Sequence, residues 1–151
     1  MTNLPPPEIQ ALIKDHIQAF NTADDALFQT VFSETAIIVD GIAPFRWINP
    51  DGPAKWLADC VKWREQFGVT QEEFAYELGF WTVEGSSAYA VISGALTVVM
   101  KTATAVRDGL LTYTFTKYGD TWKIDSQSWG RTSDRPSNVE HITGSSPHRP
   151  K

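Results

Sequence analysis

Side chains able to do chemistry are sparse in this chain, and three stand out: Asp40, His16 and Tyr113. Asp40 ends the β-branched run Ala36-Ile37-Ile38-Val39 and is followed by Gly41. A carboxylate at the end of such a strand, beside an apolar cavity, is poorly solvated. Loss of water raises its pKa and makes it a better base. A base of that kind can move a proton between carbons flanking a carbonyl. His16 falls on the apolar side of the first helical stretch, and Tyr113 shares a strand face with Leu111 and Phe115. Both can donate hydrogen bonds. Each residue also has a plainer reading. Asp40 can simply close a strand in a turn, His16 can be a core histidine satisfied by a neighbour, and a buried Tyr113 needs only a partner for its hydroxyl. The residues alone leave both readings open.

Other chemistries find little support. The chain has three histidines, and two of them, His141 and His148, fall in the last eleven residues. Its one cysteine, Cys60, permits no internal disulfide and no multi-thiolate metal centre. Cys60 reads as a buried helix residue. Converging metal ligands, a Gly-rich phosphate loop and a Gly-x-Ser-x-Gly nucleophile turn are all missing from the sequence. No metal and no cofactor is therefore expected.

The elements that must hold these side chains follow from periodicity. After a Pro-rich lead-in over residues 1–7, Ile9, Leu12, Ile13, Ile17 and Phe20 recur at helical spacing, so a helix is expected from about Glu8 to Asn21. Pro7 suits its first turn, and Asn21 can end it. Thr22 with Asp25 predicts the cap of a short second helix, whose buried stripe is Leu27, Phe28, Val31 and Phe32. Residues 36–40 read as a strand, and Phe45 to Ile48 as another short one. The turn-rich Asn49-Pro50-Asp51-Gly52-Pro53 opens a third helix that stops at Gly68. Its inner face is marked by Trp56, Leu57, Cys60, Val61 and Phe67. Period-two patterns then predict four strands near 73–83, 88–99, 110–118 and 121–130. Gly119-Asp120 makes a tight hairpin between the last two. The 100–109 segment reads as a charged connection. On the last strand Trp122, Ile124, Ser126 and Ser128 share a face if no bulge intervenes. Residues 131–151, rich in Ser, Pro, Arg and His, are expected to form a mobile tail.

This order predicts an α+β fold, with three helices on one face of a curved, mostly antiparallel sheet that wraps a pocket. The length, 151 residues, suits one domain, placed at residues 8–130. Hydrophobic residues make up 42% of the chain and aromatic ones 12%, which fits a thick core or an aromatic-lined cavity. The net charge of −5 and scattered basic residues argue against nucleic acid. No spanning apolar stretch and no secretory pattern is visible, so neither a membrane nor export is expected and the cytoplasm is the default.

The segments Ala19-Phe20-Asn21-Thr22-Ala23-Asp24, Leu27 to Phe32, Ala36 to Asp40, Gly52-Pro53-Ala54 and Gly119 to Ile124, in this order and spacing, resemble the nuclear-transport-factor-2-like superfamily. The resemblance covers roughly residues 8–130 and implies a cone-shaped α+β fold. The stretch Phe32 to Asp40 is similar to the ketosteroid isomerase segment that ends in the general-base Asp, which places that role on Asp40. In that family a Tyr and a protonated Asp bind the oxyanion. Here His16 stands at the first position and Tyr113 near the second. The resemblance thus implies a base and two donors, but not the residues that handle steroids. A scytalone-dehydratase mechanism with paired histidines does not fit this histidine count.

The superfamily includes isomerases, polyketide cyclases and non-catalytic modules, so the fold cannot choose among them. Three functions follow. One is a cofactor-independent enzyme moving a proton on a small apolar carbonyl compound, with Asp40, His16 and Tyr113 as its catalytic set. Another is a non-catalytic module that binds a small hydrophobic ligand or dimerises. The last is a structural small subunit of a larger enzyme. Phe20, Trp47, Trp56, Phe115 and Trp129 are the expected ligand-binding aromatics, although Trp47 also reads as a surface-loop residue and Trp129 as packing. A homodimer through the outer sheet face is expected, as such pairing is frequent in the superfamily.

Overall fold

The computed structural model describes residues 4–137. Helix α1 (Pro7–Thr22) buries Ile9, Ile13, His16 and Ile17, the stripe read from the sequence. It ends where Ala23 turns left-handed (φ 57°), one residue beyond the expected stop. Asn21 instead ties the helix end to a strand. Its side-chain amide donates to the Phe74 carbonyl (3.0 Å) and accepts from the Phe74 N–H (2.8 Å). Helix α2 (Asp25–Thr30) is capped by Asp24, which accepts from Leu27 N–H at 3.1 Å. The expected Thr22–Asp25 cap does not form, because the Thr22 hydroxyl donates to the Gln18 carbonyl inside α1. Helix α3 (Gly52–Phe67) stops at Gly68, whose φ of 65° is the left-handed conformation glycine adopts without strain.

The strands are β1 (Phe32–Val39), β2 (Arg46–Ile48), β3 (Val69–Glu84), β4 (Ser87–Met100), β5 (Thr104–Tyr118) and β6 (Thr121–Pro136). They form one open, curved sheet in the order β2-β1-β6-β5-β4-β3, in which only β1 and β6 run parallel. The α+β cone is thus as expected, and the strands are longer. Most of the 100–109 connection belongs to β5. Strand β6 runs six residues into the segment read as a tail, because Arg131 to Pro136 pair with Ala105 to Gly109. Residues 138–151 of that segment lie outside the described residues, as do residues 1–3.

One irregularity decides what faces inward. Between Thr114↔Ser126 and Phe115↔Ile124 the β5–β6 register skips Asp125. A bulge of this kind adds one residue to one strand and reverses the side-chain alternation beyond it. Trp122 and Ile124 are buried as expected, but past the bulge the inward residues are Gln127, Trp129 and Arg131. The expected Ser126 and Ser128 are therefore displaced. Asp125 is held at the bulge by the hydroxyls of Ser33 (2.6 Å) and Tyr118 (3.0 Å).

Glycines set the floor of the cone. Gly94 and Gly109 face each other across β4 and β5. A β-carbon on Gly94 would overlap the Phe74 ring, and one on Gly109 would overlap the Trp129 ring. The two rings lie over this glycine pair in edge-to-face contact, with centroids 5.3 Å apart.

Candidate active site

The helices and the inner sheet face enclose a cavity of about 600 Å³, within the range of small-molecule sites. Asp40 reaches it because β1 alternates: Ile38 is fully buried, Val39 is exposed, and Asp40 returns to the inner side. The turn after β1 fixes the carboxylate. Gly41 N–H donates to Oδ1 at 2.6 Å, and the indole N–H of Trp56, from α3, donates to Oδ2 at 2.9 Å. Burial pushes the Asp40 carboxyl above its usual range. The two donors and the positive charge of Arg131 oppose that shift, while the charge of Glu72 adds to it.

His16 lines the same cavity, and its Nδ1 lies 2.7 Å from the Tyr113 hydroxyl. Burial lowers its pKa to about 3 and pushes that of the Tyr113 phenol well above the usual value. Both groups are therefore neutral at pH 7. With the phenol donating to Nδ1, the imidazole proton is assigned to Nε2. Phe28 and Phe32 pack against the ring, with centroids 5.2 and 5.6 Å away.

A second buried pair is ionic. Arg64 Nε donates to Glu72 Oε1 at 2.7 Å, and the two side chains are 5% and 4% exposed. Arg64 follows Cys60 by one helical turn, so it stands on the buried line of α3. Phe67, expected there, is 52% exposed at the cavity rim. Arg107 and Arg131 also line the cavity, and the Arg107 guanidinium lies over the Trp63 ring at 5.2 Å.

No protein-family model and no curated sequence matches the chain. Solved structures do resemble it. A type 2 hexachlorocyclohexane dehydrochlorinase, LinA, superposes with a TM-score of 0.70 at 13% identity, covering 91% of this chain and 92% of its own. A ketosteroid isomerase-like protein from Erwinia carotovora atroseptica gives 0.68 at 15% identity, covering 83% and 95%. A type 3 LinA from Novosphingobium barchaimii gives 0.70 at 12% identity, covering 89% and 92%.

The chain has the nuclear-transport-factor-2-like fold.

Within this nuclear-transport-factor-2-like cone, five of the residues picked out in the sequence reach the cavity wall: Asp40, His16, Phe20, Trp56 and Trp129. Three stand elsewhere. Tyr113 is fully buried behind His16, and Phe115 stacks on Tyr113 in the core with centroids 5.4 Å apart. Trp47 is buried with its indole N–H on Asp59 Oδ2 at 2.8 Å. It is neither a surface-loop residue nor part of the wall, since β2 pairs with β1 and turns the ring into the core.

The sequence reading missed Arg64, Glu72, Phe74, Arg107, Gln127 and Arg131 at the wall. For Arg64 a signal existed in its spacing from Leu57 and Cys60. The others depend on strand register. Among the described residues no group of His, Cys, Asp and Glu is arranged to hold a metal ion. No helix there is long and apolar enough to cross a membrane.

Proposed function

We propose that this cavity transfers a proton on a small, largely apolar carbonyl compound, with Asp40 as the base. The observation that carries this reading is the Asp40 carboxylate, set in the wall of an aromatic cavity between two neutral donors. An ionised carboxylate with so little water is a stronger base than one in solution. Asp40 takes the proton from the carbon beside the carbonyl. The electron pair of that C–H bond forms a carbon–carbon double bond as the carbonyl π pair moves onto oxygen, giving an enolate, and Asp40 returns the proton to carbon as the carbonyl re-forms. His16, neutral and backed by Tyr113, supplies a donor to the enolate oxygen from Nε2. Tyr113 acts through His16 and is a positioning residue.

One observation favours a non-catalytic binding module instead: both Asp40 oxygens already accept hydrogen bonds. Hydrogen exchange separates the two readings. The chain is incubated with 2-tetralone in D2O, and loss of the proton signal beside the carbonyl is followed by NMR. The proton-transfer reading requires exchange above the buffer rate, reduced by on the order of 10²–10⁴-fold in Asp40→Asn. Exchange no faster than buffer, or unchanged in that variant, rejects Asp40 as a base.

A further inference from the structure

The polar groups of the cavity include three guanidinium groups, from Arg64 on α3, Arg107 on β5 and Arg131 on β6. An arginine cannot shed its charge by losing a proton, so its donors must be answered by acceptors. Two are not. Arg64 gives Nε to Glu72, but its buried Nη1 has no acceptor within hydrogen-bond reach among the described residues. Arg107 Nε is buried, and although Asp134 Oδ1 lies 3.3 Å away it is not aligned to accept. Asp134 is half exposed and also lies 3.6 Å from Arg131 Nη1. Its loose, solvent-facing contacts leave both arginines open to exchange for another carboxylate. The guanidinium planes are already placed, Arg107 over Trp63 and Arg64 6.0 Å above the Phe20 ring centroid. The same wall carries the rings of Phe20, Trp56, Phe74 and Trp129, together with the carboxyl groups of Asp40 and Glu72.

We propose that the cavity binds a ring-bearing carboxylic acid, its carboxylate taken by Arg64 and Arg107 and its apolar body by the aromatic wall. A carboxylate matches a guanidinium fork in shape and charge, whereas a neutral carbonyl brings a single, uncharged acceptor oxygen. The acid depends on the proton-transfer reading only for its role as substrate; its binding does not.

The test compares 2-naphthoate with its neutral isostere 2-naphthamide, titrated calorimetrically into the full chain. Naphthoate is expected to bind at least about tenfold tighter, the scale of hydrogen bonds to a charged group. Arg107→Gln should lose most of that preference with naphthamide affinity unchanged. Arg64→Gln alone would leave Glu72 as an uncompensated buried charge, so the second variant is Arg64→Gln with Glu72→Gln, which keeps a neutral hydrogen-bonded pair. It should behave as Arg107→Gln does. Equal affinities, no binding of either compound, or a preference that survives both variants overturns the proposal. Asp40→Asn separates it from the reading above, because that variant should keep the naphthoate preference while losing 2-tetralone exchange. A preference with Asp40-independent exchange sinks only the base. Asp40-dependent exchange without the preference sinks only the acid site.

Discussion

Two buried polar pairs, one in the cavity wall and one reaching from the wall into the core behind it, meet the cost of burial in opposite ways. His16 and Tyr113 are both neutral, joined by one 2.7 Å hydrogen bond and surrounded by Phe28, Phe32 and Phe115. Burial has moved their pKa values in the directions that remove charge. Arg64 and Glu72 stand at the same degree of burial as an ion pair with a nitrogen left over. A neutral pair is closed and can serve only through the imidazole atom it does not use. An ionic pair that is incompletely answered retains a demand for an acceptor. Burial therefore does not decide whether a polar pair is structural or available to a ligand; the balance of donors and acceptors does.

The largest test of this contrast removes one ion. Glu72→Ala strands Arg64 and should cost about 3–5 kcal/mol in urea denaturation, the usual result of breaking a buried pair. Replacing both partners, as Arg64→Met with Glu72→Leu, should cost far less. Equal losses would mean that the pair itself, and not the orphaned charge, holds the wall.

The neutral pair is probed by pH. Free in the unfolded chain, His16 titrates near 6.5, but in the fold its pKa is about 3. Between these values the unfolded state binds a proton that the native state refuses, so stability falls as pH drops from 6.5. The His16 share of that slope is about 1.4 kcal/mol per pH unit. The share should be missing from the His16→Phe, Tyr113→Phe double variant, seen as a flatter stability profile between pH 7 and pH 5. Tyr113→Phe alone leaves Nδ1 unanswered and should cost about 1–3 kcal/mol at pH 7. An unchanged slope in the double variant would show that His16 takes up a proton in the native state.

The smallest expected effect is a shift in the titration of Asp40, which is half-buried at the cavity and bonded to the neutral donors of Gly41 and Trp56. Because burial raises its pKa, proton transfer should decline as pH falls through a value above the ordinary carboxylate range. Trp56→Phe removes one donor that favours the ionised form and should move that limb to still higher pH, with the maximal rate largely kept. A limb that stays in place would show that the indole N–H does not tune the base.

The fold was largely legible because local signals agreed. Helical spacing in α1, the Gly68 stop and the hairpin at Gly119 each depend on a few adjacent residues. Asp40 was legible for the same reason, since two-residue alternation from Ile38 suffices to turn it inward. The second half of the wall was not. Arg131 was assigned to a tail, since a polar, Pro-containing end gives no strand signal, and it becomes strand only by pairing with β5.

By itself, then, the sequence determined the kind and order of the helices and strands, though not their full lengths, and which carboxylate follows the first strand. Tertiary structure alone decided which polar groups share the cavity. The bulge at Asp125 turned Gln127, Trp129 and Arg131 inward, and the Gly94–Gly109 pair made room for Phe74 and Trp129. It also brought Glu72 onto Arg64 and Tyr113 onto His16, across eight and 97 residues of chain. The physical reason is that periodicity is a local property of the backbone. Strand register and buried pairing are set by contacts between segments, and a one-residue bulge reverses every inward assignment that follows it.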